Sequence, residues 1–96
     1  MIEVRQTETF TDWLAALGDV KAKARIVARI RQMEMGNPGD AKSVGERVSE
    51  MRIDFGPGYR VYFTRKGRTI VVLLCGGDKG SQRKDIKTAQ RMAKEV

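Results

Sequence analysis

The apolar positions along the chain change period several times, and each change marks an element. Ile2 and Val4, separated by polar residues, fit a short first strand that ends before Thr9. Thr9-Phe-Thr-Asp12 then supplies helix-capping side chains: Thr9 or Thr11 can accept a bond from a free N–H ahead of Trp13, Leu14 and Leu17. This short helix should end at Gly18. Asp19 can cap a second, longer helix, in which Val20, Ala24 and Val27, and Ile26, Ile30 and Met33, recur at three- and four-residue spacing until Gly36. Lys21, Arg25 and Arg29 fall beside that apolar arc and read as a solvated helical face.

After Gly36-Asn-Pro-Gly-Asp40 the period becomes that of β-structure, which continues to about Gly77. Val44–Val48 fits a short irregular strand. Met51–Phe55 is a better one, with Met51, Ile53 and Phe55 on one side and Arg52 and Asp54 on the other. Gly56-Pro57-Gly58 is a turn into Tyr59–Thr64, where Tyr59, Val61 and Phe63 alternate with Arg60, Tyr62 and Thr64. Arg65-Lys66-Gly67-Arg68 makes the next hairpin connection. Thr69–Cys75 is apolar at both parities, as a central strand covered on two faces requires. Ser81 or Asp78 can cap a last helix with Ile86, Ala89, Ala93 and Val96 on one side and Arg83, Lys87, Arg91 and Lys94 in a stripe beside them. A strand and two helices, a three- to four-stranded antiparallel meander and a terminal helix make an α+β class, with residues 1–96 as one domain.

Composition narrows the function classes. At 96 residues the chain has room for one modest core, too little for two lobes with a cofactor cleft between them. The longest apolar stretch, Ile70–Cys75, is far shorter than the roughly 18–20 residues that cross a bilayer, and Met1-Ile-Glu-Val-Arg5 lacks the order of a signal peptide. A cytoplasmic protein without a membrane partner is expected. The lone Cys75 sits in an apolar run, where an inert buried thiol is expected.

Charge is distributed unevenly. Residues 1–51 hold eight basic and eight acidic side chains, whereas residues 52–96 hold eleven basic against four acidic, which accounts for the whole net charge of +7. A half of the molecule that is strongly cationic suits a polyanion, because clustered Lys and Arg attract phosphate and release its counterions.

The chemistry available to such a half is limited by the absence of His. Glu50, Asp54, Asp78 and Asp85 lie among cations without a metal-ligand spacing, so no metal or other cofactor is expected. Gly76-Gly-Asp-Lys-Gly80 lacks the phosphate-loop spacing and reads as a turn, with Gly76-Gly77 as a flexible pair before Lys79. What remains is a set of basic and phenolic groups. By parity Arg52, Arg60 and Tyr62 share a polar sheet face, and Lys79 follows the central strand. These four are the candidate catalytic residues. Arg83, Lys84, Lys87 and Arg91 are candidate RNA- or phosphate-binding residues.

RNA can be cut without a metal if its 2′-OH attacks the adjacent phosphate. The protein must then hold that geometry, neutralise the pentacoordinate phosphate and move two protons. Arg suits the charge because its fork contacts two phosphate oxygens and never deprotonates. Lys or Tyr could carry a proton, and Asp54 or Asp85 could serve as base.

Met51-Arg-Ile-Asp-Phe-Gly-Pro-Gly-Tyr-Arg-Val-Tyr-Phe63, followed by Val71-Val-Leu-Leu-Cys-Gly-Gly-Asp-Lys79 and Asp85-Ile-Lys-Thr-Ala-Gln90, resembles the HigB-like killer proteins of the RelE/ParE toxin superfamily. The resemblance extends through Gly36-Asn-Pro-Gly-Asp40 and the two N-terminal helices to nearly the whole chain. It implies a RelE-like fold, a cognate antitoxin (a helix-turn-helix protein) that silences the toxin, and cleavage of mRNA in the ribosome. It also assigns Arg60 to the family's phosphate-stabilising arginine, Arg52 to a basic position one strand earlier and Lys79 to the region of the basic position after the last strand. The chain departs from RelE itself where Asp85-Ile86 replace a catalytic tyrosine and where Asp54 replaces a lysine. The ParE branch of the superfamily poisons DNA gyrase, which gives a second reading; a basic nucleic-acid-binding module without catalysis gives a third.

Overall fold

The computed structural model describes residues 1–96. Its elements are β1 (Glu3–Gln6), α1 (Glu8–Ala16), α2 (Val20–Glu34), β2 (Ala41–Gly45), β3 (Val48–Ile53), β4 (Tyr59–Lys66), β5 (Ile70–Asp78), a 3₁₀ turn at Lys79–Ser81 and α3 (Gln82–Ala93). Strands β2 to β5 form a four-stranded antiparallel meander, and β1 joins its far edge parallel to β5, giving the order β1-β5-β4-β3-β2. The RelE-like α+β arrangement expected from the sequence is therefore present.

Both faces of the sheet are covered, which explains the unbroken apolar run of β5. On one face Phe10 of α1 and Ala22, Ile26, Ile30 and Met33 of α2 pack against Met51, Val61, Phe63, Val71 and Leu73. On the other, Ala89 and Ala93 of α3 pack against Val48, Tyr62, Val72, Leu74 and Cys75. Burial of such side chains is worth roughly 1.5–3 kcal/mol each for the larger ones. No helix is long and apolar enough to cross a membrane.

Local chemistry fixes the element ends, with several differences from the sequence reading. The cap of α1 is Thr7, two residues before Thr9. Its Oγ1 accepts from the N–H of Phe10 at 3.1 Å and donates to the carbonyl of Leu74 at 2.6 Å, tying the helix start to β5. Asp19 caps α2 as expected, accepting from the N–H of Ala22. Of the two apolar series in α2, only the one containing Ile26, Ile30 and Met33 is buried; Val20 is 79% exposed. The segment Val44–Val48 is no continuous strand. It straddles a hairpin turn at Glu46 and Arg47, both with positive φ, as the favoured two-residue turns require. Phe55 lies beyond the end of β3, in the turn to β4. Asp78 caps the 3₁₀ turn, accepting from the N–H groups of Gly80 and Ser81, while Ser81 precedes α3 and its hydroxyl donates to Asp85.

Gly76 and Gly77 are ladder positions of β5, paired with Val61 and Arg60, and not a flexible link. A side chain at Gly76 would collide with the Trp13 ring on one face, and one at Gly77 with Asp85 and Ser81 on the other. Glycine is needed there because helices from both layers close on the same end of β5.

Candidate active site

That end of β5 borders a cleft of about 330 Å³ lined by Asp40, Arg52, Ile53, Asp54, Gly58, Arg60 and Lys79. Three strand ends converge on it. Arg52 of β3 and Arg60 of β4 are directly paired across the ladder, and Arg60 is paired in turn with Gly77, two residues before Lys79. Gly58, with φ +84°, lies beside the Lys79 stem, where an added Cβ would stand in ordinary contact with the Lys79 Cβ. Arg52, Arg60 and Lys79, three of the four candidate catalytic residues, are thus brought together.

Tyr62 is not among them. It does occupy the same sheet parity as Arg60, but α3 covers that part of the face, and Tyr62 is fully buried. Its hydroxyl has no hydrogen-bond partner. Burial first, then the negative charges of Glu50 and Asp85, hold the phenol above its usual range. The expectation that parity alone left this face polar is corrected: exposure depends on where the helix stops, and Tyr62 lies beneath it. Asp85 is also outside the cleft, packed against Gly77 and Ser81, whereas Asp54 lines it.

The cleft's edge is fixed by Arg29, which is not part of a solvated stripe. Its guanidinium donates to the carbonyls of Arg52 (2.6 Å), Pro38 (3.0 Å) and Asp40 (3.4 Å), binding the loop after α2 to the end of β3. Arg25 is likewise engaged, lying 4.7 Å from the centroid of the Phe55 ring. The anchored loop presents Asp40 to Arg52 at 3.0 Å. The Arg52 hydrogen bond, reinforced by charge, holds the Asp40 carboxyl below the usual carboxylate range, and Arg52 is correspondingly raised.

Arg60 has a different environment. Its side chain is only 11% exposed and its Nη1 lies 3.7 Å from Oε1 of Glu50, a carboxylate with no solvent exposure. The other Glu50 oxygen, Oε2, accepts from Gln82 of α3 at 2.8 Å. Sequence reasoning missed Glu50 as the partner of Arg60 and Gln82 as the partner of Glu50. The available signal was parity, since Val48, Glu50 and Arg52 share one side of β3.

Beside the cleft runs a second, more open depression of about 740 Å³ on α3, lined by Gly80, Ser81, Arg83, Lys84, Lys87, Thr88 and Arg91. It contains all four residues expected to bind RNA or phosphate, and no hydrophobic residue lines it. The 3₁₀ turn carrying Lys79 joins the two depressions.

A small α+β protein with a cation-lined cleft next to a basic helix is the class that fold and site define. Residues 12–94 match the family described as phage-derived protein Gp49-like (DUF891), and the chain belongs to that family, a toxin-like one related to RelE/ParE. A protein of Haemophilus influenzae (strain ATCC 51907 / DSM 11121 / KW20 / Rd), described as uncharacterized, is 50% identical over 95 residues, covering 99% of this chain and 96% of the relative.

Proposed function

We propose that this chain, residues 1–96 as one domain, is a HigB-like toxin of a type II toxin–antitoxin module and cleaves ribosome-bound mRNA in the cytoplasm without a metal. The observation that carries the proposal is the convergence of Arg52, Arg60 and Lys79 on one cleft that also holds Asp54. In this reading the scissile phosphate sits between Arg60 and Lys79. Asp54, which has no ion-pair partner, accepts the proton of the attacking 2′-OH. The 2′-oxygen bonds to phosphorus, the bond to the 5′-oxygen breaks, and Lys79 returns a proton to the leaving oxygen. Arg60 and Arg52 neutralise the charge that gathers on the phosphate in between. The products are a 2′,3′-cyclic phosphate and a 5′-hydroxyl.

The α3 groove with Arg83, Lys84, Lys87 and Arg91 binds flanking backbone, because phosphates spaced along a strand favour a row of cations over one deep pocket. The cognate antitoxin, a helix-turn-helix protein, covers or reshapes this basic half through an acidic or amphipathic segment. Charge steers the encounter and apolar anchors hold the complex.

Induction of the chain without its antitoxin, followed by pulse labelling, tests the proposal. Protein synthesis should fall before DNA synthesis, with cleaved mRNA. A fall in DNA synthesis first, with double-strand breaks, would replace this reading with the gyrase poison. Bound but intact RNA would leave the non-catalytic module.

A further inference from the structure

We propose that Glu50 is a positioning residue whose buried carboxylate, oriented by Gln82, holds the Arg60 guanidinium at the cleft; the inference rests on the reading of that cleft as the RNA-cleaving site. Glu50 is completely enclosed between β3, β4 and the start of α3. A buried carboxylate is costly unless a cation compensates it, and an apolar residue would stabilise the same space as well or better. The buried charge therefore calls for an explanation other than stability.

Arg60 supplies the compensating cation. Glu50 faces Tyr62 across the ladder, so Arg60 is its diagonal neighbour, a spacing that long side chains span. The contact between Nη1 and Oε1 is 3.7 Å, an ion pair beyond hydrogen-bond length, and neither Oε1 of Glu50 nor Nε of Arg60 has a hydrogen-bond partner. The carboxylate thus holds the guanidinium by charge, and no guanidinium N–H of Arg60 is hydrogen-bonded to protein; Nε is itself buried, which leaves the Nη groups as the ones to meet a ligand. A phosphate entering the cleft meets a cation already in place. Gln82 fixes the direction: by binding Oε2 it turns Oε1 toward Arg60. The other two cleft cations lack this arrangement, since Arg52 is exposed and paired with exposed Asp40, and Lys79 is exposed.

The test uses the full chain and has a readout independent of cleavage. Glu50→Gln keeps the shape and can still accept from Gln82, but removes the charge. NMR of the Arg60 Nε–H group should show slow exchange and restricted motion in the wild type, and roughly tenfold faster exchange in Glu50→Gln. Single-turnover cleavage of ribosome-bound mRNA should fall by roughly 10–100-fold in kcat with KM changed less than about twofold, as misplacement of a transition-state contact requires. In an Arg60→Ala background, Glu50→Gln should cause no further loss of kcat. A folded Glu50→Gln with an unchanged Arg60 signal and full activity would overturn the proposal, as would additive losses in the double variant. If Glu50→Gln does not fold, Gln82→Ala removes only the orienting donor and should shift both readouts in the same direction by less; no shift in either overturns the proposal. A wild type that never cleaves RNA would remove the nuclease reading alone, and the Arg60 signal would still decide whether Glu50 holds it.

Discussion

Trp13 of α1 fills the space that a side chain on Gly76 of β5 would need. The indole is held there by Phe10, with ring centroids 5.8 Å apart, and by an edge-on contact with Tyr59 at 6.3 Å. With Asp85 and Ser81 against Gly77 on the opposite face, β5 is gripped at the point from which Lys79 emerges. Gly76→Ala should therefore destabilise the protein by about 1–3 kcal/mol, the usual cost of overpacking, and lower Tm by roughly 4–8 °C per kcal/mol. Gly18→Ala is the control, since nothing lies within 4 Å of a Cβ there. Equal melting temperatures for the two variants would show that Trp13 gives way freely.

Arg60→Ala should affect both activity and stability. Removing one preorganised donor should cost cleavage roughly 10²–10³-fold. A solvated polar-face residue would leave stability within about 0.5 kcal/mol, but Arg60 is the partner of a fully buried carboxylate. Leaving Glu50 unpaired should cost about 3 kcal/mol, the lower end of the range for breaking a buried pair, given the 3.7 Å separation. Arg60→Lys should restore stability more than activity, because an ammonium neutralises Glu50 but makes no two-point phosphate contact. Arg91→Ala, exposed on α3, removes the same charge and should weaken ribosome binding only. Unchanged turnover at saturation in both alanine variants would reduce Arg60 to part of a general basic field.

Cleavage should survive EDTA when polyamines keep the ribosomes intact, and should leave 2′,3′-cyclic phosphate or 3′-phosphate ends. The basis is chemical: the chain has no His, and the two carboxylates of the cleft share it with three cations, one of which already binds Asp40. End-group mapping of the cut mRNA decides the matter. Ends bearing 3′-hydroxyls would indicate attack by water and exclude the 2′-OH route.

Most elements and the sheet parity of Arg52 and Arg60 were legible because they rest on local periodicity; the hairpin between β2 and β3 was not, since Val44–Val48 reads locally as one strand. What was not legible depended on contacts between distant segments. Tyr62 has the same parity as Arg60, yet only the extent of α3 determines that one is buried and the other reaches the cleft. Arg29 sits at a helical position that sequence reads as solvent-facing, and its role comes from three carbonyls brought to it by the folded loop and β3. Gly76-Gly77 reads locally as flexibility, whereas two helices pressing on one strand end make it a packing requirement. Glu50 sits next to apolar Met51 in the chain, and its burial became visible only with Gln82 in place above it.

Stability should fall at alkaline pH. Cys75 is buried between β5 and α3, with Sγ 3.8 Å from the Asp85 carbonyl oxygen. Burial first, and the Asp85 charge second, push its thiol up to about 12 from 9.0. Tyr62, on the same face, is raised from 10.0 by burial and by Glu50 and Asp85, against a smaller opposing effect of Arg60. Both groups are neutral when protonated, so burial disfavours their ionised forms. Above pH 9 the unfolded chain releases these protons while the folded chain keeps them, and the unfolded state then binds fewer protons. Stability is consequently fully present below about pH 9 and declines as pH rises toward the folded values, by at most about 1.4 kcal/mol per pH unit for each group. Thermal melts from pH 7 to 11 should show this decline, and Cys75→Ala should have a shallower slope above pH 9, because the cysteine share is gone and the tyrosine share remains. At pH 8 the native thiol should react with a disulfide reagent far more slowly than the denatured chain. Equal reaction rates in the native and denatured states, or an unchanged slope in Cys75→Ala, would show that the thiol is not held protonated by its burial under α3.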